Sequence, residues 1–434
     1  MLARSGSSGR RRAFPLALVI GAVIVLGLGA GEARPAHGDT VTLNMQALFS
    51  GQAGYQLLIP NFERVYPNIT VNITYAGSNA QLYQLETTEF AAGNAPDLIV
   101  TFPGCGTPIS ICTLAKAGYL APLVNESWVK RSLPLVTSAS KYGQGLFGFE
   151  LNVLPFAVFT NDDLFKQLGL RIPQTFSQLL DVCQKAKAAG TTAFLLGGAT
   201  GGTQVSGLIT ALAVATLYGT DKEWATELRA GAVTFDGTPG WRAALQEFVD
   251  LNSAGCFQPG ATGTSVTSAE GLFAQGQGLM LPYLTSAKGT IDAASPRFSY
   301  TTHPFPGGTG PNQTTSYLHP GLLVSINAHA SAQNQAAAQT FIDFIARTKQ
   351  NALYSQATGG LTQYEFLKGQ FPSWMSSLAT PFDQHRYVDD PTLGWWNANV
   401  LLALQQNAIG LITGQSTIDD VLNAMDAAWK QGPA

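Results

Sequence analysis

From Thr40 onward the chain alternates apolar and polar positions in two distinct rhythms. "TVTLNMQAL" (Thr40 to Leu48) has the period-two alternation and the strand-forming residues of a β-strand. "AGYQLLIPNFERVYP" switches to helical spacing, with Tyr55, Leu58, Ile59 and Phe62 on one face, and stops at Pro67. "NITVNITYAG" is a second strand. "AQLYQLETTEFAAGNAPDLIVTF" is a helix, a Gly/Asn/Pro break and a third strand over Leu98 to Phe102. Strand–helix–strand–helix–strand at this spacing argues for parallel βαβ units in an α/β sheet. Ligands of such sheets sit beyond the carboxyl ends of the strands, which points to the loops "FSGQAG", "AGSNAQ" and "TFPGCGT".

Further along, "FSQLLDVCQKAKAAG" is an amphipathic helix opened by Thr175, with Gln178 completing a capping box. "SGLITALAVATLYG" is a more apolar helix, too short to span a membrane. "GWRAALQEFVDLNSAG" is a helix, and "AEGLFAQGQGLMLPYLTS" a helix running into a strand. "YLHPGLLVSINAHA" reads as one strand, "AQNQAAAQTFIDFIART" as a long helix, and "STIDDVLNAMDAAWK" as a last helix capped by Ser416. No repeat at a solenoid period interrupts this order.

At 434 residues the chain exceeds one ordinary core, so two lobes are expected. Hydrophobic residues make up 45% and charged residues 12%, a globular composition. The net charge of -3 offers no basic field for a nucleic-acid backbone.

The N-terminus has the form of an export signal. Arg10, Arg11 and Arg12 precede an apolar run from Leu16 to Ala30, and Ala36 and Gly38 fit a cut before Asp39. The twin arginine Arg11-Arg12 also resembles a twin-arginine signal, with Arg10 and Pro15 departing from its pattern. The expected location is periplasmic or extracellular, with tethering by an uncleaved segment as the alternative. The sequons at Asn68, Asn72, Asn125 and Asn312 are read as incidental. Export permits disulfides. Cys105, Cys112, Cys183 and Cys256 allow three connectivities. A local Cys105–Cys112 bridge across "CGTPISIC" is geometrically easy and leaves Cys183 with Cys256; four free thiols are the alternative. No clustered His or C-x-x-C suggests a metal site.

Several stretches, in order, resemble the extracellular solute-binding proteins of ABC importers, in the sugar-binding group that includes maltose-binding protein. "AGNAPDLIV" resembles a Gly-x-x-Pro-Asp segment entering the third strand, and "AGYLAPL" the segment that follows it. "GLFGFELNVLPFAVFTNDDLF" with Gly169, Pro173, Thr175 and Phe176 resembles the family's apolar crossing and its Gly…Pro-x-Thr-Trp pattern. "FAQGQGLM", "GLLVSINAHASAQNQAAAQTFIDFI" and "GLITGQSTIDDVLNAMDAAW" resemble later family segments. Glu150, Thr160 and Phe176 depart from the usual residues.

The resemblance implies a two-lobed periplasmic-binding-protein-like α/β fold with a hinge and a ligand cleft between lobes. Beyond a signal over 1–38, lobe one is expected over 39–153 and 304–360, and lobe two over 154–303 and 361–434. The chain would cross first near Asn152 to Phe156, return near Thr302 to Pro306, and cross again near Leu361.

Sugar recognition calls for flat apolar faces against pyranose C–H surfaces and polar side chains for hydroxyls. Trp395 and Trp396 in "GWWNAN" are the most suggestive aromatic pair, with helix packing as their structural alternative. Tyr283 follows the Gly-Gln-Gly turn, Glu150 and Asn152 lie on the crossing strand, and Tyr317 precedes the returning strand. Phe49, Gln52, Ser78, Asn79, Phe102 and Pro103 come from the three strand-end loops. His319 ranks below Tyr317, and Asp97 is read as a backbone cap.

Catalysis finds little support. Glu86 with Glu89 and Asp419 with Asp420 share helices without forming opposed carboxylates, and "GGATGGT" lacks the Gly-Lys-Ser/Thr ending of a P-loop. No cofactor is implied. The expected protein is a monomeric receptor that delivers a mono- or oligosaccharide to ABC permease subunits. A polyamine, phosphate ester or metal ligand is the alternative, and a secreted carbohydrate-active enzyme a weaker one.

Overall fold

The computed structural model describes residues 40–432 apart from 125, 200–201, 311 and 365–370. The expected signal segment and the sequon at Asn125 lie outside the described residues. Among the described residues, no helix is long and apolar enough to cross a membrane.

Strands β1 (Val41–Leu48), β2 (Ile69–Ala76), β3 (Leu98–Thr101) and β4 (Leu120–Ala121) come first. A hairpin of β5 (Lys141–Tyr142) and β6 (Gly145–Leu146) follows, then β7 (Phe149–Glu150) and β8 (Val153–Asn161). The remaining strands are β9 (Thr192–Phe194), β10 (Gly278–Leu284), β11 (Tyr300–His303), β12 (Ser316–Pro320), β13 (Leu323–Asn327) and β14 (Tyr387–Asp389).

Two mixed sheets form. The first has the order β2-β1-β3-β13-β4, with β7 also on β13; the second has the order β14-β12-β8-β10-β9, with β11 also on β8. β1 is parallel to both β2 and β3, as the alternation of strands and helices predicts. Helix Gln52–Val65 buries Tyr55, Leu58 and Phe62, the face that its spacing marks. Helix Asn79–Ala92 opens at Ser78 and closes at Gly93, whose φ of 72° is the left-handed cap conformation that glycine adopts without strain.

All nine residues of β8 are buried, which suits an apolar run at the centre of a sheet covered on both faces. The second sheet's core joins Phe156, Val158 and Phe194 to Leu208, Trp241, Phe248, Leu404 and Met425 from its helices. The first sheet's core joins Leu43, Met45 and Val324 to Phe62, Phe341 and Ile345. Cys105 pairs with Cys112 and Cys183 with Cys256. The second bridge ties helix Phe176–Ala188 to the turn after helix Pro239–Ser253 inside the larger core.

Three readings of the sequence change. The stretch "YLHPGLLVSINAHA" is two strands in different sheets: β12 pairs β8 and β14, whereas β13 pairs β3, β4 and β7. The chain therefore leaves the second sheet at Gly321–Leu322, and not near Thr302 to Pro306. Residues 304–320 stay with the second sheet because β11 and β12 lie end to end along one edge of β8. Lastly, the final helix is capped by Thr417 in a capping box with Asp420, one residue beyond Ser416.

Candidate functional site

The register of the first sheet, Leu48 opposite Ala76 and Met45 opposite Leu98, brings the loops after β1, β2 and β3 to one edge. A 3-10 turn over Phe49–Gly51 carries the chain from β1 into its helix, and it leaves Phe49 57% exposed. Gln52 is half-buried and Asn79 exposed on the same edge. Ser78 is committed to its helix, its Oγ accepting from the Gln81 N–H at 3.2 Å. Phe102 is half-buried and meets Tyr83 edge-on at 5.1 Å, while Pro103 is buried.

Elements of the second sheet face this edge. A Cβ built on Gly289 would sit 3.9 Å from the Ser50 carbonyl oxygen, and one on Gly104 would sit 4.0 Å from Leu393. Tyr283, near the end of β10, is half-buried; burial first and the nearby Glu270 carboxylate second push its phenol above the ordinary range. Tyr317 is a core residue: it stacks on Phe156 at 5.1 Å and its hydroxyl donates to the Gly207 carbonyl at 3.4 Å. Two residues nearer the strand end, His319 is partly exposed, and its Nδ1 lies 2.6 Å from Asp390 Oδ2. Asp390 Oδ1 accepts from the Thr392 N–H at 2.9 Å and from its hydroxyl at 2.7 Å. The carboxylate thus fixes the imidazole and leaves Nε2 as the ring atom available to a ligand. Sequence reasoning ranked His319 low and missed Asp390, because the 71 residues between them hide the pair.

Asn152 and Glu150 sit where the sheets exchange the chain. Asn152 is 5% exposed, and its Nδ2 donates to Thr358 Oγ1 at 2.9 Å. Gly321 and Gly360 close on it from two sides. A Cβ on Gly360 would lie 2.6 Å from Asn152 Nδ2, and one on Gly321 would lie 2.7 Å from the Asn152 carbonyl oxygen. Leu361 and Val153 bridge next to this point, with the Leu361 N–H donating to the Val153 carbonyl at 2.9 Å. Glu150 is 0% exposed with neither carboxyl oxygen partnered. Burial holds its pKa well above the usual glutamate range. In this conformation both side chains belong to the crossing rather than to an open surface.

The two tryptophans serve packing. Trp395 is 7% exposed and lies between Phe235, at 5.5 Å, and Trp241, at 5.9 Å. Trp396 stacks on Trp429 at 4.0 Å and donates its indole N–H to the Trp429 carbonyl at 3.0 Å. Trp395 is thus a core residue, which does not match the expectation that it meets a ligand, whereas Trp396 is half-buried with Trp429 against one face.

Two sheets joined by repeated chain crossings, with strand-end loops opposed across the junction, define a two-lobed binding protein. The family profile for bacterial extracellular solute-binding proteins matches residues 47–352, and the chain belongs to that family. A multiple sugar-binding protein of Streptococcus mutans is 24% identical over 305 residues, 70% of each chain. Among solved structures, a chitin oligosaccharide binding protein superposes with a TM-score of 0.74 at 18% identity, covering 91% of this chain and 99% of that one. The solute-binding protein RafE in complex with raffinose gives 0.70 at 23%, covering 90% and 100%. A maltose-bound protein of T. maritima gives 0.71 at 19%, covering 90% and 100%.

Proposed function

We propose that this chain is the capture component of an ABC importer, which holds a mono- or oligosaccharide between its lobes and presents it to permease subunits as an exported monomer. On this reading lobe one comprises 40–152 and 321–360, and lobe two 153–320 and 361–432. The observation that carries the sugar assignment is Phe49, an exposed aromatic on the strand-end edge that faces the second lobe. Gln52 and Asn79 lie on the same edge with amides, and from the second lobe we assign Tyr283 and His319, a phenol and an imidazole, to the same ligand. An apolar face beside amide and hydroxyl groups suits the C–H surface and hydroxyls of a pyranose. None of these side chains is a Lys or Arg, the residues that meet anionic solutes. Relatives described as binding multiple sugars, raffinose and maltose add support. A ligand touching both lobes stabilises the closed state by its differential affinity for it.

The test is a thermal-shift panel of sugars, polyamines, amino acids and phosphate esters on the mature protein, with scattering to follow compaction. Sugars are expected to raise the melting temperature and shrink the radius of gyration. A rise confined to polyamines or phosphate esters would overturn the sugar assignment; glycosidase turnover would overturn the receptor assignment as well.

A further inference from the structure

A cavity of about 390 Å³ opens on the second lobe, away from the facing strand-end loops. It lies at the beginning of β12, where Ser316 starts the strand, whereas His319 marks the strand's other end. Three segments build it: the turn before helix Phe176–Ala188, the connection from β11 to β12, and the segment leading into β14. Its volume falls in the range of small-molecule sites.

The polar groups around it are specific. Ser316 lines the cavity and is 1% exposed, and its buried hydroxyl has no hydrogen-bond partner. A buried hydroxyl left in this state is costly unless something else satisfies it. His303 also lines the cavity, and its Nε2 lies 2.9 Å from Thr301 Oγ1. That threonine hydroxyl donates to Asp162 Oδ1 at 3.0 Å, so it accepts from the imidazole, which places the ring proton on Nε2. His303 Nδ1 is left as an acceptor. Burial lowers the imidazole's pKa, with Asp162 opposing, which favours the neutral ring. Gln313 Oε1 accepts from the Thr309 and Gly310 N–H groups at 2.5 and 3.2 Å, so its amide NH₂ remains as a donor. Pro173 and Pro381 supply apolar walls; Arg386 is the one charged residue of the described lining, and none of it is acidic.

We propose that this cavity is a second binding site, separate from the cleft, for a polyhydroxylated molecule of monosaccharide or polyol size. A hydroxyl group can donate to His303 Nδ1, accept from the Gln313 amide and do either with Ser316. The site does not depend on what the cleft holds.

The experiment is ligand-observed NMR and calorimetry on the mature protein with glucose, xylose, myo-inositol and glycerol as probes. Three variants separate the sites: Gln174→Trp at the exposed mouth of the cavity, Ser316→Ala within it, and Phe49→Ala at the cleft. At least one probe is expected to bind saturably at millimolar or tighter affinity, with Ser316→Ala weakening it about fivefold. Gln174→Trp should abolish that binding and Phe49→Ala leave it unchanged. The proposal is overturned if no probe saturates, or if every saturable component survives Gln174→Trp and Ser316→Ala in variants that melt like the wild type. Binding lost only in Phe49→Ala would belong to the cleft and would equally remove the second site.

Discussion

The Asn152 amide nitrogen donates to Thr358 Oγ1 at 2.9 Å, joining residues 206 positions apart at the place where the chain passes between sheets. Gly321 and Gly360 approach the same asparagine so closely that neither has room for a Cβ. One side chain therefore touches all three crossings, and the first prediction concerns it. Gly360→Ala should destabilise the protein by about 1–3 kcal/mol through overpacking. In an Asn152→Ala background the same change should cost less, because two of the three crowded atoms are gone. Chemical denaturation of the four proteins of this cycle checks it; strict additivity would mean that the contact is not felt.

Glu150 makes the protein's stability depend on pH. Its carboxyl titrates well above the ordinary 4.5 because it is buried. A raised folded-state value means that the unfolded chain loses its proton first as pH rises. Stability is then full below about the ordinary value and falls as pH climbs towards the folded value. Glu150→Gln should melt higher than wild type at pH 8, by roughly the 1–3 kcal/mol of an unsatisfied buried group, with the gap closing by pH 5. A gap that widened on acidification would contradict this.

Aromatic substitutions should separate binding from packing. Phe49→Ala, at an exposed position, should leave the melting temperature within a degree or two and weaken sugar binding about tenfold, roughly 1.4 kcal/mol. Trp395→Ala should do the reverse, costing about 3–5 kcal/mol of stability by emptying a core position between Phe235 and Trp241. Paired calorimetry and thermal melts read both.

The disulfides should differ in weight. Cys183–Cys256 spans 73 residues and both sulfur-bearing residues are buried, whereas Cys105–Cys112 spans 7. In the loop-entropy account, replacing the longer bridge by two alanines costs more, about 4 kcal/mol against about 2 for the shorter. Denaturation of the two double variants should show this order.

The strand–helix rhythm made the first lobe readable, because each βα unit carries its own period and its own cap. The Cys105–Cys112 bridge was readable from its short spacing, and Cys183–Cys256 only as the pair that remained. The split of β12 from β13 was not, although Pro320-Gly321 is a turn signal. Apolar residues on both sides of it, Leu318 and Leu322 to Val324, suit a strand in either sheet, and periodicity does not reveal sheet membership. The packing of Trp395 and Trp396 was hidden for a related reason. A flat indole suits a sugar and another indole equally, and the partner that takes Trp396, Trp429, comes 33 residues later. The His319–Asp390 contact likewise depends on β12 and β14 lying side by side.

The position of β13 imposes an order on assembly. It lies between β3 and β4, in the middle of the first sheet, yet it is encoded after every strand of the second sheet except β14. As the chain is synthesised the N-terminal 120 or so residues emerge first, but β3 and β4 cannot be joined until Leu323–Asn327 has followed. The stretch from Val153 to Pro320 contains both Cys183 and Cys256 and five of the second sheet's six strands, so it can collapse and oxidise in the interval. The lobe that begins the chain is thus the later one to be completed. A premature stop between Ala121 and Leu323 would release a molecule whose first sheet lacks the strand that joins β3 to β4, with open edges on both for other chains to join.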